Sequence, residues 1–168
     1  TIIGGGPAGL TTGLFTARHE RETVVIDAGG SILRRNAHLE NFPGFPAGVN
    51  PRQLLDSMCE QAEAAGCEQH TGTVTTVTAN GDGFQVETDS GEQFHTDYVV
   101  AATKNATGYL EDLDDVEVVD HGKTYVETDG RGRTNVDGMY AAGRLAGKPH
   151  QAIVCAGHGA EVAVTLLE

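Results

Sequence analysis

A chain of 168 residues is long enough to bury one hydrophobic core without a disulfide or metal staple. Its 24 acidic residues against 11 basic ones give a formal charge of -13, a field that repels nucleic-acid phosphates and anionic membranes. No apolar run approaches membrane-spanning length, and Cys59, Cys67 and Cys155 form neither a C-x-x-C pair nor a metal-ligand spacing, so the chain reads as soluble and cytoplasmic.

In chain order, Thr1-Ile2-Ile3 is a short apolar strand that runs straight into Gly4. The first residue is not Met, so the natural chain is expected to begin a few residues upstream. Leu10 to Arg18 reads as a helix, and Thr23 to Ile26 as a buried strand ending at Asp27, with Gly29-Gly30 turning the chain. Strand, glycine turn, helix, strand is a βαβ unit, the seed of a parallel sheet. The loop Asn41-Phe42-Pro43-Gly44-Phe45-Pro46 follows, and Pro51 suits the first position of a helix closed by Gly66.

Gly72 to Thr78, Phe84 to Thr88 and Gln93 to Thr96 read as three strands of a meander. Their separators, Asn80-Gly81-Asp82-Gly83 and Asp89-Ser90-Gly91, are hairpin signals. Tyr98 to Ala102 is a further apolar strand, and residues 104–122 read as a polar connector around Leu110 and Leu113. Lys123 to Val126 and Met139 to Ala142 read as two last strands, and Gln151 to Leu167 as a final helix. The fold class is therefore α/β: a parallel, Rossmann-like sheet, a three-strand meander and a C-terminal helix.

Gly4-Gly5-Gly6-Pro7-Ala8-Gly9 fits G-x-G-x-x-G. Gly4 permits the tight turn off the strand, Gly6 lets a pyrophosphate touch the backbone, and Gly9 lets helix and strand pack closely. The helix that follows offers free N–H groups and a positive dipole end to the anion. Asp27 stands where an acid accepts the ribose hydroxyls of an adenosine, and a carboxylate there disfavours a 2′-phosphate. The glycine loop and Asp27 by themselves do not separate NAD from FAD.

The remaining chemistry-bearing residues read blandly. Cys155 and His158 share a helix face, but two ligands make no metal site, so both are expected to pack against the sheet. Cys59 and Cys67 read as packing residues, and His19, His38, His70, His95 and His121 as surface residues. Phe42 and Phe45 either stack on a ligand or anchor the proline loop. Lys104, Lys123 and Lys148 are the only lysines; scarce Lys with abundant acid suits a salt-rich, halophilic cytoplasm, or simply a moderately acidic protein.

GGGPAGL, ENFPGFP, DGMYAAGRLAG and HQAIVCAGHGA, in that order, resemble the FAD domain of the thioredoxin reductase-like pyridine nucleotide-disulfide oxidoreductases. In that family an NADPH domain is inserted after a strand ending in Ala-Thr-Gly, and the chain then returns to complete the FAD site. Val99 to Thr103 looks like that strand and Asn135 to Ile153 like the return. The resemblance thus implies one FAD-binding domain over residues 1–168, with halves 1–103 and 123–168 joined by connector 104–122. That connector is far too short for a nucleotide-binding domain, so the NADPH domain and its C-x-x-C disulfide are expected to be missing.

By resemblance, Gly4, Gly6, Pro7, Ala8 and Gly9 hold the FAD pyrophosphate, and Asp27 with Ala28 the adenosine ribose. The backbone near Val74 meets the adenine, Asn41 lies beside the flavin, and Ala102 with Thr103 ends the strand at the insertion point. Gly143 and Arg144 lie under the ribityl chain, while His150, Gln151 and Ala152 face the flavin pyrimidine. Three positions depart from the family pattern: Arg144 replaces an Asp, Lys104 the Ala-Thr-Gly glycine, and His150 an Arg. The function implied is an FAD-dependent electron-transfer domain, with electrons from a redox partner protein or from free NAD(P)H. A homodimer is implied by the same resemblance. The alternatives are a non-catalytic FAD or adenine-nucleotide binding module, and an NAD-binding protein.

Overall fold

The computed structural model describes residues 1–113 and 115–168. Its centre is a five-stranded parallel sheet built from β1 (Ile2–Ile3), β2 (Val24–Asp27), β3 (Glu68–Thr71), β7 (Val99–Ala101) and β10 (Met139–Ala141), in the order β10-β7-β1-β2-β3. Side chains alternate across it, as a period of two requires. Ile2, Val25 and Val100 enter one core, while Ile3, Ile26, Val99, Ala101, Met139 and Ala141 enter the other.

The first of these cores is covered by α1 (Pro7–Arg18) and α3 (Ala152–Leu167). The two helices pack closely enough that the Thr12 hydroxyl donates to Gly159 O at 3.0 Å. A Cβ on Gly159 would strike the backbone of Ala8, so glycine sets that separation. A third helix, α2 (Pro51–Ala64), starts where Pro51 places it and is capped by Asn50, whose side chain accepts from Arg52 N at 2.9 Å. Its Leu54 and Leu55 pack with Leu10 and Leu33 in a smaller cluster that also takes Phe42. Phe42 therefore anchors the proline loop, and Phe45 lies edge-on to it with ring centroids 6.1 Å apart.

The opposite face of the parallel sheet meets the meander of β4 (Val74–Asn80), β5 (Gly83–Thr88) and β6 (Gln93–Thr96), which pair antiparallel in sequence order. Val77 and Val86 are fully buried there. The expected run from Gly72 is cut at its front: Glu68–Thr71 forms β3, paired parallel to β2, and Gly72-Thr73 turns the chain into β4. An edge strand with exposed and half-buried polar residues carries no apolar run to reveal it.

The connector is more than polar spacer. Tyr109, Leu110 and Leu113 are buried against the meander-side core, and a 3₁₀ turn at Gly108–Leu110 places them there. Farther on, β8 (Val118–Asp120) pairs antiparallel with β9 (Thr124–Val126). The strand expected at Lys123 to Val126 therefore lies in a separate two-stranded ribbon, outside the parallel sheet. The neighbour of β7 in the sheet is β10, in parallel register Met139 to Val99, Tyr140 to Val100 and Ala141 to Ala101.

Candidate functional site

All five parallel strands end at one cavity of about 610 Å³. Gly4 follows β1, Asp27 ends β2, Gly72 to Val74 follow β3, Ala102 follows β7 and Ala142 follows β10, and each lines the cavity wall. Ligand sites of open parallel sheets form at these carboxyl ends, where the loops diverge.

The glycine loop forms the middle of the wall, and its four glycines have different reasons. Gly4 has φ +111, and a Cβ there would lie 2.6 Å from Ala102 O. A Cβ on Gly9 would be driven into Gly4 O, and one on Gly5 would lie 2.7 Å from the Asp27 side chain. These three are demanded by the protein itself. Gly6 is not: its φ is -85, and a Cβ would meet only Ser31 Oγ at 3.8 Å. What Gly6 keeps open is the space in front of α1.

That space faces unused donors. Helix α1 has no side-chain cap and no acidic residue in its first turn. Among the described residues, the N–H groups of Gly6, Ala8 and Gly9 have no acceptor. An anion seated there would satisfy orphan donors that nothing else satisfies. Asp27 turns toward the same loop, its Oδ1 accepting from Gly5 N at 3.0 Å.

Of the residues expected at the site, Gly4, Gly6, Pro7, Ala8, Asp27, Ala28, Asn41, Val74, Ala102, Thr103, Arg144, His150, Gln151 and Ala152 all line this one cavity. Gly9 and Gly143 stand behind the wall. Gly143 has φ +65, and a Cβ on it would lie 2.7 Å from the Ala8 Cβ, so it lets β10 exit close to α1. Asn41 donates through Nδ2 to Gln151 Oε1 at 2.8 Å, tying the proline loop to the start of α3. The Gln151 N–H donates to Pro149 O at 2.8 Å, so the open donors of α3 begin at Ala152.

Several contributors carried no motif. Tyr109 lines the cavity from the connector, and its hydroxyl lies 2.8 Å from Thr103 Oγ1. Since the Thr103 hydroxyl donates to Ala106 O at 2.7 Å, the phenol donates to Thr103, and burial pushes its pKa up so that it stays neutral. Asn105 holds the Arg144 guanidinium, Nε to Oδ1 at 2.9 Å. Cys155, expected only to pack, also lines the cavity, and burial raises its thiol pKa.

His158 supports the site from behind. It is buried, and its Nδ1 accepts from Gly143 N at 3.0 Å, which fixes the neutral tautomer with the proton on Nε2. Burial, with Lys148 nearby, lowers its pKa. A histidine whose folded pKa is depressed gives its full stability above the unfolded value, about 6.5, and loses it as the pH falls below that. Unfolding experiments on the ligand-free chain should show stability declining between about pH 7 and pH 5. His158→Asn should flatten that decline, because an amide oxygen can accept from Gly143 without titrating. An unchanged slope would mean that His158 does not act this way.

The residues 46–159 match the family model described as pyridine nucleotide-disulphide oxidoreductase. The chain is 32% identical over 123 residues to a bifunctional thioredoxin reductase/thioredoxin of Mycobacterium leprae, covering 72% of this chain and 27% of that protein. It is 39% identical over 106 residues to a thioredoxin reductase of Streptomyces clavuligerus, covering 61% and 32% respectively. The matched stretch thus spans about a third of such relatives or less. In fold it is similar to a thioredoxin reductase from Gloeobacter violaceus, with a TM-score of 0.89 at 19% identity over 98% of this chain and 92% of that one. It is likewise similar to an oxidoreductase from Agrobacterium tumefaciens, with a TM-score of 0.89 at 15% identity over 99% and 96%. With the match covering more than half of the chain, the protein belongs to the pyridine nucleotide-disulphide oxidoreductase family, as a thioredoxin reductase-like domain.

Proposed function

We propose that residues 1–168 form one FAD-binding domain acting in electron transfer, its halves 1–103 and 123–168 joined by connector 104–122. The observation that carries this reading is Gly6, an unstrained glycine kept free of any side chain beneath unsatisfied helix donors. On this reading the loop from Gly4 to Gly9 holds the pyrophosphate, and Asp27 with Ala28 takes the adenosine ribose. The backbone around Val74 meets the adenine. Ala102 and Thr103 wall the centre of the cavity, with Gly143 and Arg144 toward the ribityl chain. Asn41, His150, Gln151 and Ala152 bound the flavin end, where the open start of α3 favours negative charge.

Bound FAD would supply the redox chemistry, and the chain supplies binding, orientation and electrostatics. Tyr109 and the connector wall off water on one side. The protein's own thiols are poorly placed for disulfide exchange: Cys59, Cys67 and Cys155 are free, burial raises the pKa of each, and that of Cys67 is pushed up to about 11. On this reading electrons reach the flavin from a redox partner protein or from free NAD(P)H. A homodimer fits the same reading, with exposed Ile153, Val154 and Val164 on α3 as a candidate face. The acidic, lysine-poor composition supports a place in a salt-rich cytoplasm.

Anaerobic addition of NADPH or NADH to the FAD-loaded protein tests the electron route. Bleaching of the yellow colour supports direct reduction. If the colour persists, a partner donor or the non-catalytic FAD-binding module is left; Lys104 and Arg144, at positions that depart from the family pattern, favour the module. Protein that takes up NAD and no flavin would overturn the FAD reading in favour of the NAD-binding alternative.

A further inference from the structure

Three segments meet behind the cavity wall at one buried side chain, His158 of α3. Gly143, at the exit of β10, donates its N–H to His158 Nδ1 at 3.0 Å. The start of α1 closes the junction: a Cβ on Gly143 would lie 2.7 Å from the Ala8 Cβ, and one on Gly159 would strike the Ala8 backbone. Gly143 stands behind the wall, but its chain neighbours Ala142 and Arg144 line the cavity, and so does Ala8. A shift at Gly143 is therefore passed to the wall by two routes, along its own chain and through the first turn of α1, where the open N–H groups lie.

Holding the Gly143 N–H does not require a histidine. Any buried acceptor would serve, and the imidazole carries a cost: among the described residues nothing accepts from its Nε2. What the ring has, and an amide or hydroxyl lacks, is a proton equilibrium near neutral pH. Once Nδ1 is protonated, two N–H groups face each other and the bond is lost. The charged groups that act on the ring are Lys148 and Glu161, of opposite sign, and the 129–133 loop presents only the Gly130 backbone, with Lys148 Nζ on Gly130 O at 3.1 Å. In that loop Arg133 pairs with Asp129, and Arg131 with Glu168. Arg144 is held by Asn105, Cys155 gives its thiol to Pro149 O, and α1 brings Ala8 and Thr12, neither of them charged. No carboxylate among these groups hydrogen-bonds the ring to hold a charged form in place.

We propose that His158 is a positioning residue whose proton controls cofactor affinity: neutral, it holds Gly143 and through it the start of α1 in the binding geometry, and protonated, it releases both. This rests on the FAD reading for the identity of the ligand. The cavity then holds FAD at neutral pH and loosens its grip as the pH falls below about 6.5, the ordinary histidine value. A positive charge would by itself attract a pyrophosphate. The ring becomes charged, however, only when the Gly143 bond is already broken, so lost geometry sets the sign.

FAD titrations at about pH 8 and about pH 5.5 test this, with circular dichroism confirming the fold at each. Wild type should bind about tenfold more weakly at the lower pH, the worth of one hydrogen bond. His158→Asn, whose amide oxygen accepts from Gly143 without titrating, should lose most of that dependence and keep only what His150 on the cavity wall contributes. His158→Ala, with no acceptor at either pH, should bind weakly at both; if it does not fold, the comparison of wild type with His158→Asn decides. By reciprocity, saturating FAD should lower the His158 pKa further, as followed by NMR. Equal pH dependence in wild type and His158→Asn, or tighter wild-type binding at the lower pH, overturns the proposal. A chain that takes up no FAD at any pH fails the flavin reading, and the amide signals of Gly143, Ala8 and Gly9 in the ligand-free protein then decide the junction. Signals that move together with the His158 titration, and stay still in His158→Asn, keep it. Signals that stay still while His158 titrates remove it.

Discussion

Replacing Gly6 with alanine should leave the fold standing and weaken FAD binding by about 100-fold or more. The backbone there has φ -85, which alanine adopts without strain, and the new Cβ would meet nothing in the protein closer than 3.8 Å. It would, however, occupy the approach to the α1 donors, which the pyrophosphate would have to touch on the proposed reading. Gly9→Ala is the informative contrast. Its Cβ would be forced onto Gly4 O, a backbone atom that cannot swing aside, so about 3 kcal/mol or more of stability should go. Denaturant unfolding and FAD titration on the two variants should therefore give opposite patterns. Full FAD affinity in a folded Gly6→Ala protein would mean that the loop does not hold the cofactor.

Asp27 carries the second large effect. Its Oδ1 anchors the loop through Gly5 N, while the rest of the carboxylate faces the cavity. Asp27→Asn keeps an acceptor for Gly5 and removes the charge, so FAD affinity should fall by about tenfold to 100-fold with the unfolding midpoint nearly unchanged. Asp27→Ala removes the anchor as well, and should lose a further 1 kcal/mol or so of stability, since Gly5 N–H is left without its partner. If both variants bind FAD as the wild type does, Asp27 is only a loop anchor.

What could be read from the sequence divides along physical lines. The βαβ start, the meander and α3 were legible because apolar periodicity and turn residues marked them. Edge strand β3 was not, since Glu68 to Thr71 bury little and leave no apolar signature. The burial of Tyr109, Leu110 and Leu113 was hidden by the acidic residues around them, because their partners in the meander core lie far away in sequence. Of the candidate site, Gly4 to Gly9 and Asp27 followed from local spacing, while Asn41, Val74, Thr103, Arg144 and Gln151 were reached only through the family resemblance. Asn105 and His158 were out of reach for the opposite reason. Each acts through one hydrogen bond to a distant segment, Asn105 to Arg144 and His158 to Gly143, and only the fold brings those partners together. Lys104 lies between these cases: its position was noticed as a departure, but its left-handed backbone was visible only in three dimensions.

The central claim is that the cavity at the strand ends binds FAD, and equilibrium titration of the ligand-free chain tests it most directly. Flavin absorbance and fluorescence should report saturable uptake of one FAD per chain, weakened in Gly6→Ala and Asp27→Asn. NAD at the same concentration should not displace it. A chain that stays colourless through the titration, or releases FAD to NAD, would contradict the account.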